Sequence, residues 1–196
     1  EPLANLILLQ KMTVSPLEEA ENYINPEKEV STAEDALNGA KDILAESVSD
    51  NADFRTHIRE LTMKHGQLLS AAKDPEAESV YEMYYEFSES LSKLAGHRIL
   101  AISRGEKEKF LTVKIDAPVD RILSYLDRKL ITAPSAPTAA VLHEVTEDAY
   151  NRLIAPAIER EIRNDLFEKA EDGAIRVFGK NLEQLLMQPP IAGQVV

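Results

Sequence analysis

The 196-residue chain contains no cysteine, and it has only seven glycines and ten prolines. The absence of cysteine excludes disulfide scaffolds, zinc ribbons, thiol nucleophiles and thiolate-bound clusters. The low glycine and proline content excludes collagen-like and low-complexity sequences. Long apolar runs are absent too, because stretches such as 6–9 and 99–102 are far shorter than the roughly 20 residues of a membrane span. We therefore expect a soluble, cytoplasmic protein with no membrane partner.

What is present is typical of a folded globular protein. Apolar residues make up 44% of the chain and charged residues 29%, which argues against disorder as the default state. A chain of this length forms one large domain or two small ones, and it buries roughly 70% of its unfolded surface. The chain starts at Glu1 and opens with no signal-peptide pattern, so we expect a piece of a longer protein.

Charge is unevenly distributed along this acidic chain. The formal net charge is -12, from 22 basic and 34 acidic side chains. Residues 1–92 carry a net charge of -12, residues 93–129 carry +4 and residues 130–196 carry -4. Because an acidic surface repels polyanions, the middle segment is the part that we expect to attract nucleic acid. Basic side chains that are merely solvated would leave the same pattern.

Apolar residues recur at helical spacing over most of the chain. The segments 15–18 and 31–34 match the capping-box pattern that starts helices. After the second box, apolar residues share one helical face as far as Val48. These patterns predict a mainly α fold, a multihelical bundle with a long C-terminal helical stretch and at most one short β-hairpin or strand pair.

One segment has the two-residue period of a strand. Leu111, Val113 and Ile115 alternate with polar residues, which predicts a half-buried strand over 110–116. A single strand needs a partner, and the short apolar stretch 67–72 is the best one in this chain.

A proline-rich stretch at 132–137 is the best candidate for a domain boundary. The predicted organisation is a helical subdomain over 1–131, which contains the strand pair, followed by a long helical segment over 138–190. Within that segment we expect a kink or a break at Pro156 or Gly173, because proline removes a helical donor and glycine weakens a helix.

Four aromatic residues follow Asp74-Pro75-Glu76, a sequence that predicts the start of another helix. These residues are Tyr81, Tyr84, Tyr85 and Phe87. Aromatic rings can stack on bases, but the glutamates around them would repel phosphates. We therefore favour a core or interface role for the rings.

The catalytic motifs that can be traced in the sequence are incomplete. His143 and Glu144 begin a pattern like the zincin motif HExxH, but Glu147 stands where the second histidine ligand belongs. Ser90 and Lys93 match the pattern S-x-x-K without its partner motifs. Glycine-rich phosphate loops and nucleophile elbows do not occur in the sequence. We predict no catalytic residue, no metal and no cofactor.

The stretch from Gly96 to Glu108 reads GHRILAISRGEKE and lies in the net-positive segment. It resembles the HR-x-LA-x-x-RGE-x-E stretch of the bacterial Tex transcription accessory proteins. Further stretches resemble the same family in the same order along the chain. They are ALNGAKDILAE at 36–46, RLIAP at 152–156 with ERE at 159–161, and VF at 177–178 with NL at 181–182. The sequence is thus identified as a member of the Tex family.

The resemblance implies a place within a multidomain protein. Tex proteins have an N-terminal helical region with a helix-turn-helix, an RNase H-like YqgF domain, helix-hairpin-helix elements and a C-terminal OB-fold domain that binds RNA. This chain resembles the later part of the helical region, and 191–196 resembles the start of the YqgF domain. The resemblance therefore implies a non-catalytic helical scaffold, with nucleic acid, chiefly RNA, and the transcription machinery as partners of the whole protein.

Direct binding of RNA or DNA by the segment 93–129 is the alternative function. Its phosphate contacts would be Arg98, Arg104, Lys107, Lys109 and Lys114. The first two have a competing structural role, because an arginine beside an apolar helix can bury its stem and pair with a carboxylate such as Glu106. In that case, charge reversal at Arg98 costs stability more than affinity for RNA.

Overall fold

The computed structural model describes residues 1–188 as a mainly helical chain with one small sheet. The α-helices are α1 (Pro2–Leu9), α2 (Pro16–Ala20), α3 (Ala33–Asp50), α4 (Ala52–His65), α5 (Gly96–Lys107), α6 (Val119–Leu130), α7 (Ala139–Asp148) and α8 (Ala155–Leu186). The strands are β1 (Gln67–Ala72), β2 (Glu86–Ser90) and β3 (Leu111–Asp116). This architecture confirms the predicted mainly α fold class, but the sheet has three strands where we expected at most one strand pair. Within residues 1–188, no helix combines the length and apolar character needed to cross a bilayer.

Two compact units share the chain. The first unit comprises Glu1–Gly66 and Ala117–Arg160, and the second comprises Gln67–Asp116 and the chain from Glu161 onward. The chain thus leaves the first unit to form the sheet and α5, returns to it, and leaves it again within α8. The predicted boundary at 132–137 lies inside the first unit. The predicted YqgF start at 191–196 lies outside the described residues.

The helix starts follow the side chains that cap them. Ser15 accepts a hydrogen bond from the backbone N–H of Glu18, and the Glu18 side chain accepts one from the backbone of Ser15, as the capping box predicts. At α3 the cap is Thr32, which pairs in the same way with Asp35. The capping box therefore begins one residue later than the pattern at 31–34 predicts. Residues 32–35 offer an equivalent pair, in which Thr32 takes the place of Ser31 and Asp35 takes the place of Glu34.

The core of the first unit is built where α3, α6 and α7 pack together. Its fully buried large side chains include Ile7, Ile58, Ile122, Leu126, Leu142, Val145 and Ile154. At roughly 1.5–3 kcal/mol for each fully buried aliphatic side chain, such a set is the dominant stabilising contribution to this unit.

The α-helical hydrogen-bond pattern is interrupted just before Pro156, one of the two positions where we expect a kink or a break. Residues Ala149–Ile154 form a π-helical turn that runs directly into α8. Proline has no N–H for the carbonyl of Arg152, four residues earlier, and a wider turn absorbs that interruption. The Arg152 side chain pairs with Asp148 and Asp42, which ties the turn to α3, and its hydrogen bonds lower the pKa of Asp148. Gly173 does not interrupt α8.

The second unit contains a three-stranded antiparallel sheet in the order β2-β1-β3. The predicted pairing of 67–72 with 111–116 is confirmed, with Ser70 opposite Val113. The helix predicted after Asp74-Pro75-Glu76 is wrong. Its C-terminal part is instead the strand β2, which pairs with β1 on the side away from β3.

Burial of the aromatic rings explains why this segment is not a helix. Tyr81 and Tyr84 are 5% exposed, in agreement with the core role that we favour for the rings. The Tyr84 ring lies edge-on to Phe87, and the buried Ser70 hydroxyl donates to the Tyr84 carbonyl. The Tyr85 hydroxyl donates to the carbonyl of Ala77. These bonds satisfy loop backbone groups that a helix would have satisfied internally.

Candidate nucleic-acid interface

The five predicted phosphate contacts all lie in the second unit, but on different surfaces. Arg98, Arg104 and Lys107 belong to α5, which packs against the sheet. Lys109 follows the end of that helix, and Lys114 lies on β3. The question that decides their role is which of them is free to meet a ligand.

Arg98 is engaged within the protein. Its Nη1 lies 2.7 Å from Oε2 of Glu89 on β2, and its guanidinium carbon lies 5.9 Å from the centre of the Phe87 ring. The predicted ion pair of Arg98 is thus present, but with Glu89 in place of Glu106. Glu106 pairs with Arg163 of α8 instead. Both bridges connect α5 to another element of the second unit.

We expect Arg98→Glu to lower the free energy of unfolding by about 1–2 kcal/mol. The change removes a partly buried ion pair and a cation–π contact, and it places two carboxylates side by side. Urea unfolding followed by circular dichroism measures the effect. Arg104→Glu on the same helix is the matched control, with an expected loss below about 0.5 kcal/mol because Arg104 is exposed. An Arg98→Glu variant that unfolds normally but loses affinity for RNA would contradict the structural role.

Arg104 and Lys107 line an open cleft of about 500 Å³ in the second unit. The cleft is formed by α5 and α8, and its other lining residues are Leu100, Ser103, Phe167, Glu171, Ala174 and Ile175. The ammonium of Lys107 lies 5.2 Å from the centre of the Phe167 ring. Two cations at the rim of a partly apolar cleft can attract an anion, although Glu171 opposes them.

Lys109 and Lys114 are not among the residues that line that cleft. Lys109 adopts a left-handed backbone with φ of 67°, and the backbone of Phe110 then donates to Gly105 to close α5. Lys114 lies opposite Leu69, on the exposed face of β3. Val113 and Leu111 point to the other, buried face. The five residues therefore do not form one continuous phosphate-binding track.

The net-positive segment 93–129 is divided between the units. Residues up to Asp116 belong to the second unit, and α6, which carries Arg121 and Arg128, belongs to the first. There α6 packs against α4, a helix from the most acidic part of the sequence. The sequence gives no sign of this pairing, because 53 residues separate the end of α4 from the start of α6.

The incomplete catalytic motifs serve internal contacts. The Nδ1 atom of His143 lies 2.8 Å from a carboxylate oxygen of Asp127, and its Nε2 atom lies 3.5 Å from Glu147. Thr146 donates to the other oxygen of Asp127, so the group links α6 to α7. Across residues 1–188, no cluster of three or more histidine and carboxylate side chains is placed to hold a metal ion.

These features define a class of protein: a helical module with an embedded antiparallel sheet, in which some basic residues form internal ion pairs and others are exposed. The family model described as Tex central region-like matches residues 11–178. The chain therefore belongs to the Tex family.

Relatives from distant organisms agree with this assignment. The chain is 48% identical to the uncharacterized protein YdcI of Bacillus subtilis, over all of this chain and 28% of the relative. It is 34% identical to protein tex of Bordetella pertussis, over all of this chain and 26% of the relative. It is 32% identical to the human S1 RNA-binding domain-containing protein 1, over 89% of this chain and 19% of the relative. The chain thus spans little more than a quarter of the bacterial relatives.

Proposed function

We propose that this region is a non-catalytic helical scaffold of a Tex-like transcription accessory protein. The observation that carries the proposal is the use of its polar side chains within the units. Arg98, Arg163 and Arg152 each join two elements, and His143 joins α6 to α7. Side chains that join neighbouring elements in this way hold the geometry of the region, which is what a scaffold requires.

The names of the relatives support a role in transcription and RNA binding for the whole protein. One relative is a transcriptional accessory protein Tex of Neisseria gonorrhoeae, and another is named for an S1 RNA-binding domain. Since the chain spans 28% or less of these relatives, we propose that RNA is bound mainly outside it. The scaffold would then position those domains in the cytoplasm, next to RNA and the transcription machinery.

Direct binding through the basic residues of α5 is the second candidate. It is favoured by the exposure of Arg104 and Lys107 on the cleft, where a phosphate could reach both side chains. Lys109 follows in the same exposed segment. Arg98 is a weaker contact in this proposal, because Glu89 already neutralises it.

The two functions differ in where the affinity for RNA resides. Fluorescence anisotropy with one labelled RNA compares this chain with the full-length Tex-family protein that carries it, at two salt concentrations. The scaffold proposal expects binding by the full-length protein to be at least about 100-fold tighter. Equal affinities would overturn it.

A double substitution on the cleft distinguishes direct binding from the scaffold function. In the full-length protein, we expect Arg104→Gln with Lys107→Gln to change the affinity for RNA by less than about twofold if the region is a scaffold. A loss of tenfold or more, with a shallower dependence on salt, would favour direct binding at the cleft. Exposed Lys169→Gln with Lys180→Gln on α8 changes the charge by the same amount and controls for long-range electrostatics.

A further inference from the structure

A second open groove lies in the first unit, between α4 and α6, and has a volume of about 360 Å³. It is lined by His57 and Leu61 from α4 and by Asp120, Arg121, Ser124, Tyr125 and Arg128 from α6. None of the five phosphate contacts predicted from the sequence belongs to it. The groove is therefore a separate surface from the cleft on α5.

The groove residues of each helix are spaced so that they lie along one face of that helix. Arg121, Ser124, Tyr125 and Arg128 stand at positions i, i+3, i+4 and i+7 of α6, which share one helical face. The two arginines are thus separated by about 10 Å along the helix axis. On α4, His57, Leu61 and His65 lie at intervals of four residues and form the facing edge.

Among residues 1–188, no ion pair joins Arg121 to a carboxylate, and its guanidinium contacts a histidine instead. Its Nη1 atom lies 3.1 Å from Nε2 of His65, and since a guanidinium can only donate, this imidazole nitrogen must accept. Desolvation, and then the positive charges of Arg121 and Lys64, lower the pKa of His65. The imidazole is therefore neutral at pH 7, and the guanidinium keeps its full charge beside it.

Further cations outweigh the carboxylates around the groove. Arg128 is exposed, and no ion pair of its side chain occurs within residues 1–188. The ammonium of Lys129 lies 6.0 Å from the centre of the Tyr125 ring. Asp120 lines the groove. Burial, and then the negative charge of nearby Asp53, raise the pKa of Tyr125.

One wall of the groove is a fixed aromatic surface. The ring of His57 stacks on that of Tyr125 at a centroid distance of 4.0 Å and an angle of 29°. Phe54 packs edge-on against the same tyrosine at 6.0 Å. These contacts pack Tyr125, which lies between the two arginines along α6, against side chains of α4.

We propose that the groove between α4 and α6 binds the phosphodiester backbone of a nucleic acid, with Arg121 and Arg128 contacting separate phosphates. Arginine suits this role because its planar fork of donors matches phosphate oxygens. The Ser124 hydroxyl, between the two arginines on the same face, donates to a non-bridging phosphate oxygen or to a sugar oxygen. An acidic peptide fits less well, because Leu61 is the one aliphatic side chain that lines the groove and offers little apolar anchorage.

The inference goes beyond the scaffold function, because it gives the scaffold its own contact with nucleic acid. It also replaces the view of 93–129 as one basic surface. The fold assigns α5 to the second unit and α6 to the first, where α6 lies beside the histidines of α4.

The test measures anisotropy of a labelled 15-nucleotide RNA and a duplex DNA of the same length with this chain. The variant is Arg121→Gln with Arg128→Gln, and the control is Lys11→Gln with Lys28→Gln, two exposed lysines of the same unit. At about 50 mM salt we expect the groove variant to bind at least tenfold more weakly and the control to change less than twofold. For duplex DNA, the plot of log affinity against log salt concentration has a negative slope, and its magnitude should decrease by about 2 because two phosphate contacts are lost.

Three results would overturn the proposal: no binding of either nucleic acid at low salt, equal losses in both variants, or equal competition by a glutamate-rich peptide. Circular dichroism spectra and melting curves must first show that the groove variant is folded. These outcomes are independent of the scaffold proposal, which depends on the ratio of affinities between the chain and the full-length protein.

Nuclear magnetic resonance titration of the histidines adds a readout that a structural role would not change. A phosphate at Arg121 favours the imidazolium, so we expect the RNA to raise the pKa of His65. His97, which is exposed on α5 in the second unit, is the internal control, and its ring signals should keep their chemical shifts when the RNA is added. A pKa of His65 that RNA leaves unaltered would count against contact at this groove.

Discussion

Replacing Gly105 by alanine is expected to lower the free energy of unfolding by about 2 kcal/mol, although alanine is the better helix former. A Cβ atom at this position would lie 2.7 Å from Cδ1 of Leu111 and 3.0 Å from Cγ of Tyr81. Leu111 is fully buried and Tyr81 is 5% exposed, so neither can move into solvent. The glycine of the RGE stretch is therefore needed for close packing of α5 on β3.

Urea unfolding followed by circular dichroism checks this prediction against a matched glycine in α8. A Cβ atom at Gly173 would meet nothing within 4 Å, so Gly173→Ala should stabilise the protein by up to about 1 kcal/mol. The two substitutions add the same methyl group inside a helix and should have opposite signs. A stabilised Gly105→Ala variant would show that α5 does not pack as closely on β3 as the structure has it.

The helices and one strand pair could be predicted from the sequence because capping residues and apolar periodicity act over a few neighbouring residues. The capping box at Ser15 and the alternation of Leu111, Val113 and Ile115 each act within a few residues. The strand β2 has no such signal. Its sequence, EFSES, places one apolar residue, Phe87, among polar ones, and its stability comes from pairing with β1. Pairing across 14 or more residues is a tertiary effect that periodicity does not reveal.

The candidate sites illustrate the same limit. A pairing role for Arg98 follows from its place beside an apolar helix, but the choice of Glu89 over Glu106 depends on how β2 lies under α5. When net charge is counted by segment, residues 93–129 count as one basic surface. In the fold, the chain returns to the first unit at Ala117, so Arg121 lies in a different unit from Arg98. Charge counted along a sequence locates a surface only when the segment stays together in the fold.

Replacing Gln10 by alanine is expected to have the largest effect in the first unit, a loss of about 3 kcal/mol. The side-chain amide of Gln10 donates to the carbonyl of Leu130 at 2.8 Å, and its oxygen accepts from the backbone N–H groups of Thr132 and Ala133 at 2.9 and 3.0 Å. Gln10 is 9% exposed. The substitution leaves several partly buried backbone groups without partners, at about 1–3 kcal/mol for each unsatisfied group.

Amide hydrogen exchange identifies the cause of that loss. In the Gln10→Ala variant, the amides of Thr132 and Ala133 should exchange faster than in the parent chain, under conditions in which the helices remain protected. Gln10→Glu keeps an acceptor for both N–H groups but loses the donor to Leu130, so it should retain part of the protection and part of the stability. Lys11→Ala, an exposed neighbour, should leave both unchanged. The proline-rich stretch at 132–137 has few helical bonds of its own, and the side chain of Gln10, 122 residues before Thr132, holds it next to the end of α1. Unaltered exchange at Thr132 and Ala133 in Gln10→Ala would mean that this stretch is held by other contacts.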